Sequence, residues 1–252
     1  AIKMVGMITS AAKKISYSLF YKGDNKLKRF FYIRANLLNQ IRKYAKYYKK
    51  EKVLPPIKPV VGVIGGMGPL ATTYFMNMVI EMTDANRDQD HINMIVLQHA
   101  SVPDRTAYFL NQNNQNPVIP MIEDAKKLEQ MGATFIVIPC NTAHFFYQYI
   151  QDEVKIPVIN IIEETISYIA RQSPETKKIG LLATTGTILT DSYQVIAKKY
   201  GIECLLPEEQ EQQDIMMIAY DQVKAGKPVD ISLFLSIIDK LKKRGCQYIV
   251  LG

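Results

Sequence analysis

The sequence predicts an α/β protein made of two pseudo-symmetric, doubly wound parallel-sheet lobes, the second truncated at the C-terminus, behind a basic helical N-terminal leader. Three observations carry this prediction: short uncharged β-branched runs that read as strands buried on both faces, helical patterns alternating with them, and a second copy of the same pattern after Pro174. The expected division is a leader over 1–58, a first lobe over 59–170 and an incomplete second lobe over 171–252.

The chain has 252 residues, 48% hydrophobic and 22% charged, an ordinary globular composition. No run reaches the roughly 18 apolar residues of a membrane span, and no secretory pattern stands at the start. Three cysteines without framework spacing fit a reducing compartment, so a cytoplasmic protein is expected. The net charge of +7 is unevenly spread. Residues 1–58 hold fifteen Lys and Arg against Asp24 and Glu51, a local +13, so the remainder carries −6. Within that leader Phe30, Ile33, Leu37, Ile41, Tyr44 and Tyr48 recur at helical spacing among basic residues, the pattern of a basic amphipathic helix. It suits an anionic membrane surface, nucleic acid or a transit role, and equally a helix packed on its own domain or a sister subunit. The leader begins at Ala1 rather than Met, which leaves processing, a tag scar or an incomplete gene open. Pro55, Pro56 and Pro59 mark the linker to the body.

Val60–Ile64 reads as the first strand, followed by Gly65-Gly66-Met67-Gly68-Pro69 and a helix from Leu70 to Met82. Gly66 to Ala71 fits a loose dinucleotide fingerprint, but the next strand, Ile92 to Leu97, ends in Gln98 and His99, not in an acid that would hold a ribose. What remains is a glycine loop able to bring backbone amides to a small anion. Arg105, in the loop from Ser101 to Thr106, carries the planar fork that clamps carboxylates. Asn111 to Asn116 reads as a loop, Met121 to Met131 as a helix, Phe135 to Ile138 as the central strand, Ile156 to Ile161 as another strand and Ile162 to Arg171 as a helix. Cys140 falls where the central strand gives way to a helix capped by Asn141 and Thr142, at the end of the sheet where α/β active sites lie. Amides at a helix start favour a thiolate, so Cys140 is expected to be a reactive thiol.

From Lys178 the pattern restarts. Lys178 to Thr187 mirrors the first strand and glycine loop, with Thr184, Thr185 and Thr187 supplying hydroxyls, and Lys240 to Leu251 mirrors Lys127 to Ile138. The position matching Cys140 falls immediately after Gly252, and no counterpart of residues 156 to 171 follows, so the sequence reads as a fragment or as part of a longer chain. His144, one helical turn after Cys140, suits either a Cys–His hydrolase pair or a group that orients the cysteine. The three histidines have no ligand spacing with the cysteines, so no metal site is expected. Cys204 and Cys246 sit in strand-like segments and read as core.

These motifs, in order Gly65 to Thr72, Pro103 to Thr106, Pro139 to His144, Ile162 to Thr165 and Ala183 to Thr187, resemble the aspartate racemase branch of the aspartate/glutamate racemase superfamily over about residues 60–252. The resemblance implies a cleft between two lobes, often in a homodimer, and cofactor-independent inversion of a dicarboxylic amino acid by two thiols on opposite faces of the substrate. Cys140 would be one acid/base. Met67, Asn141, Thr142, Thr185 and Thr187 would surround the α-carboxylate and amino group, and Arg105 and Lys224 would hold the side-chain carboxylate. Asp104 and His144, inside the same motifs, join the expected substrate-binding set. The second thiol would lie beyond Gly252. A racemase-like binding protein impaired in catalysis, docked through its leader, is the alternative.

Overall fold

In the computed structural model the described residues are the backbone of 3–6 and residues 58–111 and 115–252. They form two parallel sheets. In the first, β2 (Val60–Gly65) lies between β3 (Asn93–Gln98) and β4 (Phe135–Val137). In the second, β5 (Lys178–Leu182) lies between β6 (Glu203–Leu205) and β7 (Tyr248–Leu251), and β1 (Lys3–Gly6) adds to the far side of β7. The basic helix anticipated over Phe30 to Tyr48 lies outside the described residues. Residues 3–6, expected to be leader, are instead a sheet strand, and they occupy the edge of β7 that the sequence reading left bare. Among the described residues no helix is long and apolar enough to cross a membrane.

The internal repeat extends to individual contacts. Gly132 and Gly245 both adopt φ just above +90° at the end of a helix, a conformation that favours glycine. The next amide returns to the helix in each copy, from Ala133 to Leu128 O and from Cys246 to Leu241 O, both in the 3.0–3.2 Å range. The strand opposite needs a glycine in each copy. A Cβ on Gly62 would sit 2.9 Å from that of Ala133, and one on Gly180 would sit 2.9 Å from Leu241 Cδ1 and 3.3 Å from Cys246 Sγ. Ala133 and Cys246 are therefore the same packing position filled twice.

Helix boundaries follow local chemistry. Pro69 opens the helix Pro69–Met82, where a missing N–H costs nothing. Asn160 caps Ile161–Gln172 by accepting from the Ile162 and Glu163 amides. That cap explains why the expected strand from Ile156 to Ile161 shrinks to one bridge, Ile136 to Val158. Pro157 has no N–H to give to a ladder, and Ile161 already belongs to the helix. The helix Ile161–Gln172 also joins the two sheets, because one apolar cluster runs from Val61, Val63 and Phe135 through Ile162, Ile166 and Ile169 to Ile179, Leu181 and Val250.

Candidate active site

The carboxyl ends of β2, β3, β4, β5 and β7 open onto a single cleft of about 510 Å³. Its walls include Gly66 to Ala71 after β2, Pro139 to Thr142 after β4, Ala183 and Thr184 after β5, and Tyr220 and Lys224 from a π-helical stretch, Ile218–Lys224. This is where an α/β sheet gathers its loops, because each strand delivers its following residue to the same edge.

Cys140 lines the cleft, partly exposed and with a free thiol. It is the sole cysteine among the described cleft residues. Burial pushes the Cys204 thiol up to about 12, helped by Cys246, and burial raises that of Cys246 against the opposing pull of Arg244 and Lys178. Both pack among apolar side chains. The chain after Cys140 departs from the expected capped helix. Thr142–Phe146 is a 3₁₀ turn leading into a short helix, Tyr147–Gln151. Asn141 has helical torsions and makes no capping bond. Its Oδ1 instead accepts from the Tyr193 hydroxyl at 2.7 Å.

Of the residues singled out from sequence, Met67, Asp104, Arg105, Cys140, Asn141, Thr142 and Lys224 meet at the cleft. His144, Thr185 and Thr187 do not line it. The His144 ring is 4% exposed and reaches back to the Cys140 carbonyl oxygen at 2.7 Å, with Ile159 O 3.4 Å from its other nitrogen. Burial pushes its pKa down to about 4 despite those two carbonyls, so the imidazole is neutral at physiological pH. It braces the loop and makes no bond to the thiol, which removes the pairing that a Cys–His hydrolase requires. Thr185 faces Met216 and Gln212, with its hydroxyl accepting from Gln212 Nε2 at 3.3 Å. Thr187, 1% exposed, lies behind the wall and shares a 2.7 Å hydrogen bond with Thr142.

Besides Thr106, the cleft threonine left out of the expected binding set is Thr184. Its hydroxyl lies 3.1 Å from that of Thr142, 3.2 Å from that of Thr187 and 3.4 Å from that of Thr106. These four hydroxyls, two from each half, form a seam across the floor of the molecule. Gly186 lets the halves approach there, since a Cβ on it would meet Thr106 Cα at 2.8 Å. The Pro103 to Thr106, Pro139 to His144 and Ala183 to Thr187 motifs carry these threonines, and none of them says which hydroxyl faces the cleft.

The charged side of the cleft carries Arg105, Lys224 and Asp104. Arg105, 7% exposed, opens a helix, Arg105–Phe109, that the sequence reading had taken as loop. Its Nη1 donates to Val102 O at 3.2 Å and Pro103 O at 2.9 Å, and its Nη2 donates to Met67 O at 3.3 Å. The guanidinium thus ties the glycine loop to its own helix, while its buried Nε–H has no hydrogen-bond partner. Asp104 caps the helix by accepting from the Ala107 amide at 2.8 Å. Burial works to raise its pKa, but the Ala107 amide, Lys224, Arg105 and the Thr106 amide together hold the carboxyl below its ordinary value. Lys224 reaches across from the second half, 3.6 Å from Asp104 and 3.5 Å above the Tyr220 ring centroid. Among the described residues no group of three or more His, Cys, Asp and Glu could hold a metal ion.

Parallel sheets thus meet over a cleft that holds a thiol, a glycine loop and a hydroxyl wall. The chain belongs to the Asp/Glu/hydantoin racemase family, whose profile matches residues 64–252. It is 33% identical over 160 residues to the broad specificity amino-acid racemase RacX of Bacillus subtilis (strain 168), covering 61% of this chain and 67% of that protein. The aspartate racemase of Picrophilus torridus superposes with a TM-score of 0.62 at 28% identity, covering 73% of this chain and 77% of the other. An aspartate racemase homologue from Pyrococcus horikoshii OT3 gives 0.63 at 25% identity, covering 78% and 85%. A match to the glutamate racemase of Aquifex aeolicus (strain VF5) is 34% identical but spans 32% of each chain.

Proposed function

We propose that the protein exchanges the α-hydrogen of a dicarboxylic amino acid, aspartate or glutamate, as one half of a cofactor-independent racemisation, with Cys140 as the acid/base. The observation that carries this reading is the placement of a free, partly exposed thiol on the cleft wall beside the Gly66–Gly68 loop and Asn141. In the step assigned to Cys140 its thiolate takes the α-proton. The Cα–H bond breaks, an S–H bond forms, and the electron pair left on Cα is delocalised toward the α-carboxylate. That charge needs donors already aimed at it, and each well-placed donor in a water-poor cleft contributes on the order of 3 kcal/mol. Loop amides, Asn141 and the Thr142 hydroxyl line the same wall and supply candidates. A proton returned on the opposite face inverts the centre, and a second proton carrier must act there.

Charge favours a dicarboxylic substrate. Two cations, Arg105 and Lys224, line the cleft against Asp104 and the Cys140 thiolate, and both cations sit on the Asp104 side.

Incubation of L- and D-aspartate, and of L- and D-glutamate, with the full chain in deuterated buffer tests the reading. NMR should record loss of the α-proton signal, and Cys140→Ser should slow it by roughly 100- to 10,000-fold. Equal exchange in Cys140→Ser, or none in the unaltered protein with either amino acid, overturns the assignment.

A further inference from the structure

The Tyr193 side chain is fully buried behind the cleft, on the helix Ser192–Lys199 of the second half, yet its hydroxyl ends on a residue of the cleft wall. The acceptor is Asn141 Oδ1, 2.7 Å away, in the loop after β4 of the first half and directly after Cys140. A carboxamide has one accepting end and one donating end, and turning it over exchanges them at almost no change in shape. When a buried O–H claims the oxygen, the NH2 group is left for the other side. The Asn141 nitrogen has no protein partner among the described residues, and Asn141 lines the cleft.

We propose that Tyr193 is a positioning residue: by holding Asn141 Oδ1 from behind, it presents the Asn141 NH2 to the substrate's α-carboxylate and keeps an acceptor from facing it. This rests on the racemase reading for the identity of the carboxylate, but the hold on Asn141 is a property of the protein alone. Because donor and acceptor come from different halves, the bond also fixes the Cys140–Thr142 loop to the second half. Burial keeps the phenol protonated across the accessible pH range, so it retains its one proton to donate, with Thr165 as the hydroxyl's other hydrogen-bond neighbour.

Tyr193→Phe removes the hydroxyl and keeps the ring that fills the core. In this variant the kcat/KM for α-deuterium exchange should fall about 10- to 100-fold, the size expected when one buried hydrogen bond to the reacting group is misdirected. The same substitution made in Asn141→Ala should cost nothing further, because the residue through which it acts is gone. A purely structural tyrosine would give additive losses. A second readout needs no turnover. In 15N-labelled protein the Asn141 side-chain amide pair, assigned by its disappearance in Asn141→Ala, should shift and broaden in Tyr193→Phe as the carboxamide becomes free to turn. Additive losses, or an unchanged amide pair, overturn the proposal. If the unaltered protein exchanges no α-hydrogen, the racemase reading fails, and the amide signal still decides whether Tyr193 holds Asn141.

Discussion

The turn after β2 and the turn after β5 occupy equivalent places in the two halves and are made of opposite materials. The first is backbone. Gly66 has φ +90°, and a Cβ there would lie 2.4 Å from the His99 carbonyl carbon, so the loop presses on the neighbouring chain with no room for a side chain. Its amide is steadied by the Thr72 hydroxyl at 2.9 Å. The second turn is hydroxyls, with Thr184 and Thr187 bonded to Thr142. Elsewhere the halves agree closely, as Gly62 with Gly180 and Ala133 with Cys246 demonstrate. The duplicated skeleton is retained where packing requires it and diverges where the cleft is lined, so symmetry of fold coexists with asymmetry of donors.

Breaking the backbone turn should have the largest effect. Gly66→Ala combines an unfavourable φ with a collision against backbone that cannot move aside, and should lower unfolding free energy by about 3 kcal/mol or more in urea titrations. Gly68, two residues on, has nothing within 4 Å of a Cβ and an extended φ of −106°, so Gly68→Ala should stay within about 1 kcal/mol. Similar losses for the two would dissolve the contrast between a constrained and an open glycine.

Acid sharpens the comparison next, since all three histidines belong to the first half. His144 is depressed from 6.5 to about 4 in the folded state. The unfolded chain therefore binds a proton that the folded one refuses, and stability falls as pH drops from about 6.5 toward 4 and levels off below. Over that window the loss is on the order of 3 kcal/mol, and thermal unfolding of His144→Gln should lack it. A wild-type melting temperature that stays flat between pH 7 and 4.5 would contradict this. The smallest effect is expected at the matched packing position. Cys246→Ala puts in the second half the residue that already serves in the first, and should cost only about 1 kcal/mol with no change in α-hydrogen exchange.

Much of the architecture was legible because strand and helix periods are local properties. Val60–Gly65, Phe135–Val137 and the repeated Gly132 and Gly245 turns announce themselves within ten residues of sequence. Cys140, Asn141, Thr142, Met67, Asp104, Arg105 and Lys224 follow from motif order, and the cleft gathers them. What sequence could not give was the facing of hydroxyls and rings across the join. Thr185 and Thr187 were chosen over Thr184 because nothing local distinguishes adjacent threonines in a turn. His144 looked like a partner for the thiol because spacing reports distance along a helix, whereas the chain there is a 3₁₀ turn that swings the ring onto a carbonyl. Tyr193 lies fifty-two positions from Asn141 and carries no motif.

The apolar cluster shared through Ile161–Gln172 has a consequence for how this molecule descends from a duplicated ancestor. Each copy has surrendered its independence, for the oil that seals one sheet is supplied in part by the other. Severed and expressed alone, either copy would bare a greasy flank and clump, and the intact chain should melt in one step instead of two.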